Sequence, residues 1–139
     1  MLWNSPYPAT VIRFGGIYGP GRTRLIDSLR EGIATCVEQP PVYTNRIHRD
    51  DGAAALQHLM ELYDPQPLYI GVDDHPAPHC EVLRWLAERL GVPGPTVVNA
   101  ATAPDTLLRA NKRCRNARLR ASGFRFRYPS YKEGYAALL

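Results

Sequence analysis

The chain has 139 residues, of which 45% are hydrophobic and 22% charged, and its formal net charge is +4. These values are ordinary for a globular domain and exclude a disordered chain. No apolar run approaches the roughly 20 residues of a membrane span, and the opening MLWNSPYPAT has neither the charged nor the apolar region of a secretory signal. We therefore expect a single cytoplasmic domain over 1–139, with no membrane contact.

The predicted elements begin with strand ATVIRF (9–14), a β-branched run that ends at glycines. A helix follows the glycine-rich loop, with Leu25, Ile26, Leu29 and Ile33 on one face. PPVYT and RIH are predicted to be extended. Asp50 or Asp51 is predicted to cap the next helix, over 52–63, whose apolar stripe consists of Leu56, Leu59, Met60 and Tyr63.

PLYIGVDD (67–74) is the clearest strand, and the loop DDHPAPH follows it. The next predicted helix buries Val82, Leu83, Leu86 and Leu90 and stops at Gly91. A basic helix over 110–123, a short strand FRFRY and a last helix opened by a Ser130–Glu133 capping box complete the chain. This order predicts an α/β fold with a thin, mainly parallel sheet.

The positive charge is concentrated in the C-terminal part, about 105–139. Between Arg109 and Lys132 there are nine Lys or Arg and no acidic residue, whereas the rest of the chain has eight basic residues against 13 acidic ones. Such a surface, with Phe124, Phe126 and Tyr128 beside it, is one way to bind nucleic acid. Because no recognised nucleic-acid motif is present, this remains the weaker alternative.

The three cysteines are Cys36, Cys80 and Cys114. They are far apart, odd in number and without a C-x-x-C pair, which favours reduced, buried thiols over a disulfide or a metal site. Ligand types suited to zinc or manganese occur in the loop DDHPAPH, at Asp73, Asp74, His75 and His79. We interpret that loop instead as a solvated turn that caps the following helix, and we expect no metal.

The stretch RFGGIYGPGR (13–22) tests whether the chain carries a phosphate-binding loop. Its glycines fit neither G-x-G-x-x-G nor G-x-x-G-x-x-G, and no G-K-[ST] follows. Pro20 also removes an N–H that a phosphate would use. We interpret the stretch as a tight loop at the carboxyl end of a strand, where small residues allow something to approach the backbone closely.

Several segments in order, VIRFGGIYGPGR, NRIHRDDGAAAL, YIGVDD and LAERLG, resemble the C-terminal half of an extended short-chain dehydrogenase/reductase of the NAD-dependent epimerase/dehydratase family. The ending NKRCRNARLRASGFRFRYPSYKEGY is similar to that branch as well. The resemblance implies a partial Rossmann-like fold that forms the substrate-binding half. It also implies a parent enzyme that uses NAD or NADP to epimerise, dehydrate or reduce a nucleotide-sugar-like substrate.

The chain contains neither the glycine-rich first βα turn of that family nor its Tyr-x-x-x-Lys pair. The resemblance therefore implies no catalytic residue and no cofactor for the isolated chain. By the same resemblance, the cofactor-binding residues at the nicotinamide end are Phe14, Gly15 and Gly16. Gly16 stands where many relatives place a substrate-contacting Asn.

The resemblance places Tyr18 and Arg22 at the border of the substrate cleft, with Arg46 and His48 as further substrate-binding residues. Arg46 is offset from the arginine with which relatives often bind a substrate pyrophosphate. For Asp51, the family's buried acid, we favour a structural capping role. The expected partner is a nucleotide-binding half or a second copy of the chain. The alternative function is a non-catalytic interaction module that pairs through an open sheet edge.

Overall fold

The computed structural model describes residues 9–139; most of the segment compared with a secretory signal, residues 1–8, lies outside them. The strands are β1 Val11–Phe14, β2 Gly16–Tyr18, β3 Thr35–Cys36, β4 Tyr43–Thr44, β5 Arg46–His48, β6 Leu68–Gly71, β7 Ala77–Pro78 and β8 Thr96–Val97. The helices are α1 Arg24–Arg30, α2 Arg49–Glu61, α3 His79–Leu90, α4 Asp105–Arg109, α5 Ala117–Ala121 and α6 Tyr131–Ala136, with a 3₁₀ turn at Ala100–Thr102. Among the described residues no helix is both long and apolar enough to cross a membrane.

The strands form four pairs, of which β1–β6, β2–β5 and β3–β8 are parallel and β4–β7 is antiparallel. Two backbone hydrogen bonds extend the first two pairs, since the Gly15 N–H donates to the Gly71 carbonyl at 3.2 Å and the Gly16 N–H to the Asn45 carbonyl at 3.0 Å. The Asp73 N–H, just after β6, donates to the Arg46 carbonyl of β5 at 2.7 Å and joins the two pairs. The predicted α/β architecture with thin, mainly parallel sheet structure is confirmed.

Two apolar clusters hold these strands. One packs α1, α3 and α6 together and includes Leu29, Leu83 and Leu86. The other joins α2 and α5 to the β1–β6 pair; its buried members are Ala55, Leu59, Tyr69, Leu119 and Phe124. The site described below lies at the carboxyl ends of β2, β5 and β6, between these clusters.

The apolar stripe predicted for α2 is wrong. Of its four residues only Leu59 is buried, and the other three are exposed: Leu56 at 46%, Met60 at 85% and Tyr63 at 104%. The helix instead buries the face that carries Asp51, Gly52, Ala55 and Leu59. Small residues on that face bring the helix close to the sheet, since a Cβ on Gly52 would lie 3.6 Å from the Phe14 ring.

Two other helix predictions need correction. Ile33 lies beyond the end of α1 and is 66% exposed. Neither Asp50 nor Asp51 caps α2, because the side chain of His48 accepts the Asp50 N–H. The predicted stop of α3 is confirmed at Gly91, whose φ of 68° is the left-handed conformation that glycine tolerates. The predicted opening of α6 is confirmed, with the Ser130 hydroxyl accepting the Lys132 N–H.

The basic helix predicted over 110–123 is reduced to α5, and FRFRY forms no strand. The backbone of 111–116 is held by side chains instead. Asn45 donates to the Lys112 carbonyl at 2.6 Å and accepts the Cys114 N–H at 2.8 Å. Asn111 accepts the Tyr43 N–H at 2.9 Å. These long-range hydrogen bonds replace helical ones, so the helix predicted from the local sequence does not form over 111–116.

The expectation of three reduced thiols is also wrong, because Cys36 and Cys80 form a disulfide and only Cys114 is free. The pairing joins β3 to the first turn of α3, two elements separated by 44 residues in sequence but only 5.4 Å between Cα atoms. Reduced cysteines therefore no longer support the cytoplasmic location, which stays a prediction.

Candidate functional site

Three of the predicted substrate-binding residues meet on one face of the β2–β5 pair. In the parallel register Gly16 lies opposite Arg46, and Tyr18 lies opposite His48. Because alternate residues of a strand point to the same side, these four positions share a face. Helix α6 packs against β5, and its Tyr131 and Tyr135 are both buried.

Tyr18 is held at the centre of this face. Its ring stacks on Tyr135, with the centroids 4.3 Å apart, and meets His48 edge-on at 5.4 Å. Its hydroxyl lies against Gly134, where a Cβ would be only 1.7 Å away. Burial raises the pKa of Tyr18 above its usual value, so the hydroxyl stays protonated and is a hydrogen-bond donor.

His48 is buried beside Tyr18 and begins α2. Its Nδ1 accepts the Asp50 N–H at 3.0 Å, which places the proton of the neutral ring on Nε2. Burial lowers the pKa of His48, so the ring is uncharged at neutral pH. The ring also lies against Tyr128, with a centroid distance of 4.1 Å. These contacts give His48 a helix-capping role, and its contact with substrate stays a prediction.

Arg46 is only 5% exposed, which is unusual for an arginine. One guanidinium nitrogen donates to the Thr44 hydroxyl, and the guanidinium carbon lies 5.5 Å from the centre of the Tyr131 ring. Nη1 has no hydrogen-bond partner within the described residues. A buried cation with a free donor is typical of a binding site or of a hydrated interior.

Asp73, which follows β6, is the functional residue that sequence reasoning missed. Its side chain is 2% exposed, so this part of DDHPAPH is not the solvated turn we predicted. One carboxylate oxygen accepts the His75 N–H at 2.9 Å, and the other has no partner in the described part of the chain. Burial raises the pKa of Asp73 to about 7, against the opposing effects of the His75 N–H and Arg46. A signal was present: the aspartate follows the apolar run YIGV with no turn residue between.

Its neighbour Asp74 faces outward, where it accepts from Asn116 at 2.7 Å and pairs with Arg120 at 3.3 Å. The two adjacent acids therefore have opposite environments. His79, at the start of α3, is also largely enclosed, and burial lowers its pKa to about 4, with Arg46 and Arg24 lowering it further.

The residues predicted to bind a cofactor lie nearby, at the carboxyl end of β1. Phe14 packs over Gly71, where a Cβ would be 2.6 Å from its ring. Gly15 is enclosed by the Asn45 carbonyl and Val72, and Gly16 is exposed. Phe14 and Gly15 are half-buried, and the contact of the three residues with a cofactor stays a prediction.

Arg22 does not join the buried group. Its side chain is exposed, and its backbone pairs with that of Gly19 through hydrogen bonds of 2.9 and 3.2 Å. The structure therefore brings Tyr18, Arg46 and His48 together with the unpredicted Asp73, and it leaves Arg22 at the surface.

No protein-family model matches the chain. Among curated proteins, it is 31% identical over 147 residues to a 3-diazoavenalumate denitrifying reductase from a Streptomyces species, covering 96% of this chain and 48% of the relative. Among solved structures, it matches a protein from Methylobacillus flagellatus described as an NAD-dependent epimerase/dehydratase, with 41% identity and a TM-score of 0.78 over 99% of this chain and 48% of that one. Over nearly its whole length the chain is similar to members of the NAD-dependent epimerase/dehydratase family.

The chain also matches a conserved protein of unknown function from Silicibacter pomeroyi, with 36% identity and a TM-score of 0.81 over 93% of this chain and 48% of that one. It spans about half the length of the relatives it matches. The likeness is to the C-terminal portion of an extended short-chain dehydrogenase/reductase, as the sequence motifs predicted.

Proposed function

We propose that this chain is the substrate-binding portion of an NAD- or NADP-dependent oxidoreductase that acts on a nucleotide-sugar-like small molecule. The observation that carries the proposal is a group of buried polar side chains where β2, β5 and β6 meet: Tyr18 and His48 end β2 and β5, Arg46 begins β5, and Asp73 follows β6. In open α/β sheets, ligands bind at the carboxyl ends of the strands. The name of the Streptomyces relative, a reductase, supports redox chemistry.

Hydride transfer would come from a nucleotide-binding half, because this sequence has neither a dinucleotide-binding glycine turn nor a Tyr-x-x-x-Lys pair. In the described residues β1 pairs with β6 alone, and Arg13 at its middle is exposed. Parallel sheets are normally covered and extended by neighbouring strands. The free edge of β1 is therefore the place where such a half would add its sheet.

A chimeric protein tests this proposal. The C-terminal portion of the Methylobacillus flagellatus relative would be replaced by this chain, and NADH and NADPH binding would be measured by fluorescence. We expect affinity within about tenfold of the intact relative, a difference of about 1.4 kcal/mol. The N-terminal portion of the relative alone is the control for folding without a C-terminal half.

This chain by itself is expected to bind neither cofactor. Tight NAD(P)H binding by the isolated chain would contradict the interpretation of the loop RFGGIYGPGR. A well-folded chimera that binds neither cofactor would contradict the proposed function itself.

The second candidate function is a non-catalytic, self-associating module. The exposed side chains of Leu56 and Met60 on α2, and of Tyr63 just after it, favour this function, since exposed apolar groups close together mark many interfaces. A Met60→Lys variant that turns a dimer into a monomer in sedimentation, together with a chimera that fails to bind cofactor, would favour this function over the first.

Nucleic-acid binding receives less support from the structure. Phe124 is 7% exposed and belongs to the apolar cluster of α2 and α5, and Phe126 packs against the same cluster. Rings held in this way cannot also stack on bases. We therefore propose no nucleic-acid partner for the basic segment.

A further inference from the structure

We infer that Arg46, Tyr18 and Asp73 form a buried binding site for the carboxylate group of a small organic anion. The inference rests on the proposed function, because such a site would anchor one end of the substrate. The three side chains are 5%, 4% and 2% exposed. Each keeps one polar atom without a partner in the described structure: Arg46 Nη1, the Tyr18 hydroxyl and Asp73 Oδ2. Buried polar atoms are rarely left unpaired, so three in one place indicate a missing partner.

The three groups are close neighbours in the fold. The Asp73 N–H donates to the Arg46 carbonyl at 2.7 Å, which sets the two backbones side by side. Tyr18 and Arg46 share a face of the β2–β5 pair. The charges of Asp73 and Arg46 both act on the Tyr18 hydroxyl.

One side of the site lacks a covering side chain. Gly16 is the register partner of Arg46, is exposed, and has no neighbour closer than 3.5 Å to where its Cβ would stand. A small molecule can approach Arg46 across this position. From the opposite direction, α6 closes the site with Tyr131, Gly134 and Tyr135.

The chemistry of the three groups favours a single negative charge with planar acceptors. Arg46 is a permanent cation, and the Tyr18 hydroxyl is a donor. Since burial raises the pKa of Asp73 to about 7, its carboxyl group is largely protonated at pH 6 and can then donate as well. Three buried donors on neighbouring residues, with the one positive charge of Arg46, match a carboxylate. A phosphate dianion would bring a second negative charge against that single buried guanidinium.

The elements around this site carry other charged or titratable groups. They are His75 on the loop after β6, Glu133 on α6, Asp51 on α2, Arg24 on α1 and His79 on α3, and also Asp74, whose side chain points outward to Asn116 and Arg120. Asp74 and Glu133 act in the same direction, raising the pKa of Asp73. His79, with a pKa of about 4, stays uncharged in the range tested below. Protonation of Asp73 should therefore control binding between pH 6 and pH 8.

The experiment is calorimetric titration of the chain with sodium acetate at pH 6.0, 7.0 and 8.0, with neutral acetamide as the matched probe. Acetate is expected to bind at pH 6.0 and acetamide is not. Above pH 7 the dissociation constant should rise by up to about tenfold per pH unit, because each acetate then takes up about one proton. The dependence of the heat on buffer ionisation measures that proton.

Variants separate this site from a general salt effect. Arg46→Gln should abolish acetate binding. Asp73→Asn keeps a donor but no ionisable proton, so it should bind acetate equally at pH 6.0 and 8.0 without proton uptake. Asp74→Asn, the exposed neighbour, should keep proton-linked acetate binding, with the pH dependence moved to lower pH because the Asp74 charge no longer raises the pKa of Asp73. If Arg46→Gln does not fold, the pH dependence of acetate binding by Asp73→Asn still shows whether Asp73 takes part in the site.

Two results would overturn the inference. One is no acetate binding by the folded chain at pH 6.0, which would leave water as the partner of the three atoms. The other is an unchanged pH dependence in Asp73→Asn. Neither result contradicts the proposed function if the chimera binds NAD(P)H. The acetate titrations and the chimera therefore test the two proposals independently.

Discussion

At residue 15 the backbones of two strand pairs come so close that no side chain fits. A Cβ on Gly15 would lie 2.8 Å from the Asn45 carbonyl oxygen and 2.9 Å from Val72 Cγ1. The nearest atom to a Cβ on Gly16 would be 3.5 Å away. The adjacent glycines thus have different roles: Gly15 allows the β1–β6 and β2–β5 pairs to join, and Gly16 leaves a surface open.

Replacing these glycines one at a time tests that difference. Gly15→Ala should lower the free energy of unfolding by about 1–3 kcal/mol, because the added methyl group forces the Asn45 carbonyl or Val72 to move. Gly16→Ala should change it by no more than about 0.5 kcal/mol. Urea denaturation of the two variants, analysed with one m-value, measures both changes in the free energy of unfolding. Equal losses in the two variants would contradict the close approach at residue 15.

Single residues also show where sequence reasoning reached its limit. The glycine loop was interpreted as a site of close backbone approach, and Gly15 makes that approach. Asp73 was assigned to a surface loop, because a charged residue after a strand is usually solvated. Its N–H donates to the carbonyl of Arg46, which a distant strand supplies, and a local sequence pattern carries no information about such a contact.

At the scale of elements, the C-terminal segment is attached to α2 by one carboxylate. Asp51, which is 2% exposed, accepts the N–H groups of Arg127 and Tyr128 at 2.9 Å each. These two bonds occupy donors that the predicted strand FRFRY would have used in a sheet. The structural role favoured for Asp51 from the sequence is therefore found, although it holds the chain end rather than caps α2.

Asp51→Asn should cost about 1.5–3 kcal/mol, since one charge-assisted acceptor is lost. The variant should also be cut faster by trypsin after Arg125 and Arg127, the basic residues of the released segment. Asp50→Asn, next to it on the same helix and half exposed, should cost less than about 1 kcal/mol and leave proteolysis unchanged. A folded Asp51→Asn variant with normal trypsin resistance would rule out this attachment.

The Cys36–Cys80 disulfide links β3 to α3 and predicts one free thiol in the denatured chain, that of Cys114. Closing a loop of 44 residues is worth about 4 kcal/mol in the chain-entropy model. Reduction should therefore lower the melting temperature, and Cys114→Ser should not. Thiol titration under denaturing conditions gives the count, and three thiols in protein that has not been reduced would contradict the pairing.

Element positions were predicted well where a periodic pattern and its caps agreed, as in β6 and in α3 with its Gly91 stop. The buried face of α2 was predicted wrongly, because Gly52 and Ala55 pack inward, and of the four larger apolar residues in the predicted stripe only Leu59 does. A search for periodic apolar residues gives most weight to large side chains, whereas a helix that lies close to a sheet needs small ones there. The basic helix is short because Asn45, just before β5, forms hydrogen bonds with the backbone of Lys112 and Cys114.

On the scale of the whole molecule, the chain carries a substrate-side group of buried polar residues and a strand edge that no described strand covers. Motif order along the sequence was enough to indicate the family, because the first three of the segments that carry the resemblance contain the residues of this group. The single-domain boundary at 1–139 and the association state stay predictions. Neither can follow from a sequence that spans 48% of its structural relatives.

We propose that this chain works together with a nucleotide-binding half. The most direct measurement is the intact mass of the native species, recovered from its source cells with an antibody to this sequence. If the chain works with such a half, the native species is either a single chain of about twice 15.6 kDa or a 15.6 kDa chain bound to a dinucleotide-binding partner. A 15.6 kDa chain recovered alone, or only with further copies of itself, would contradict it.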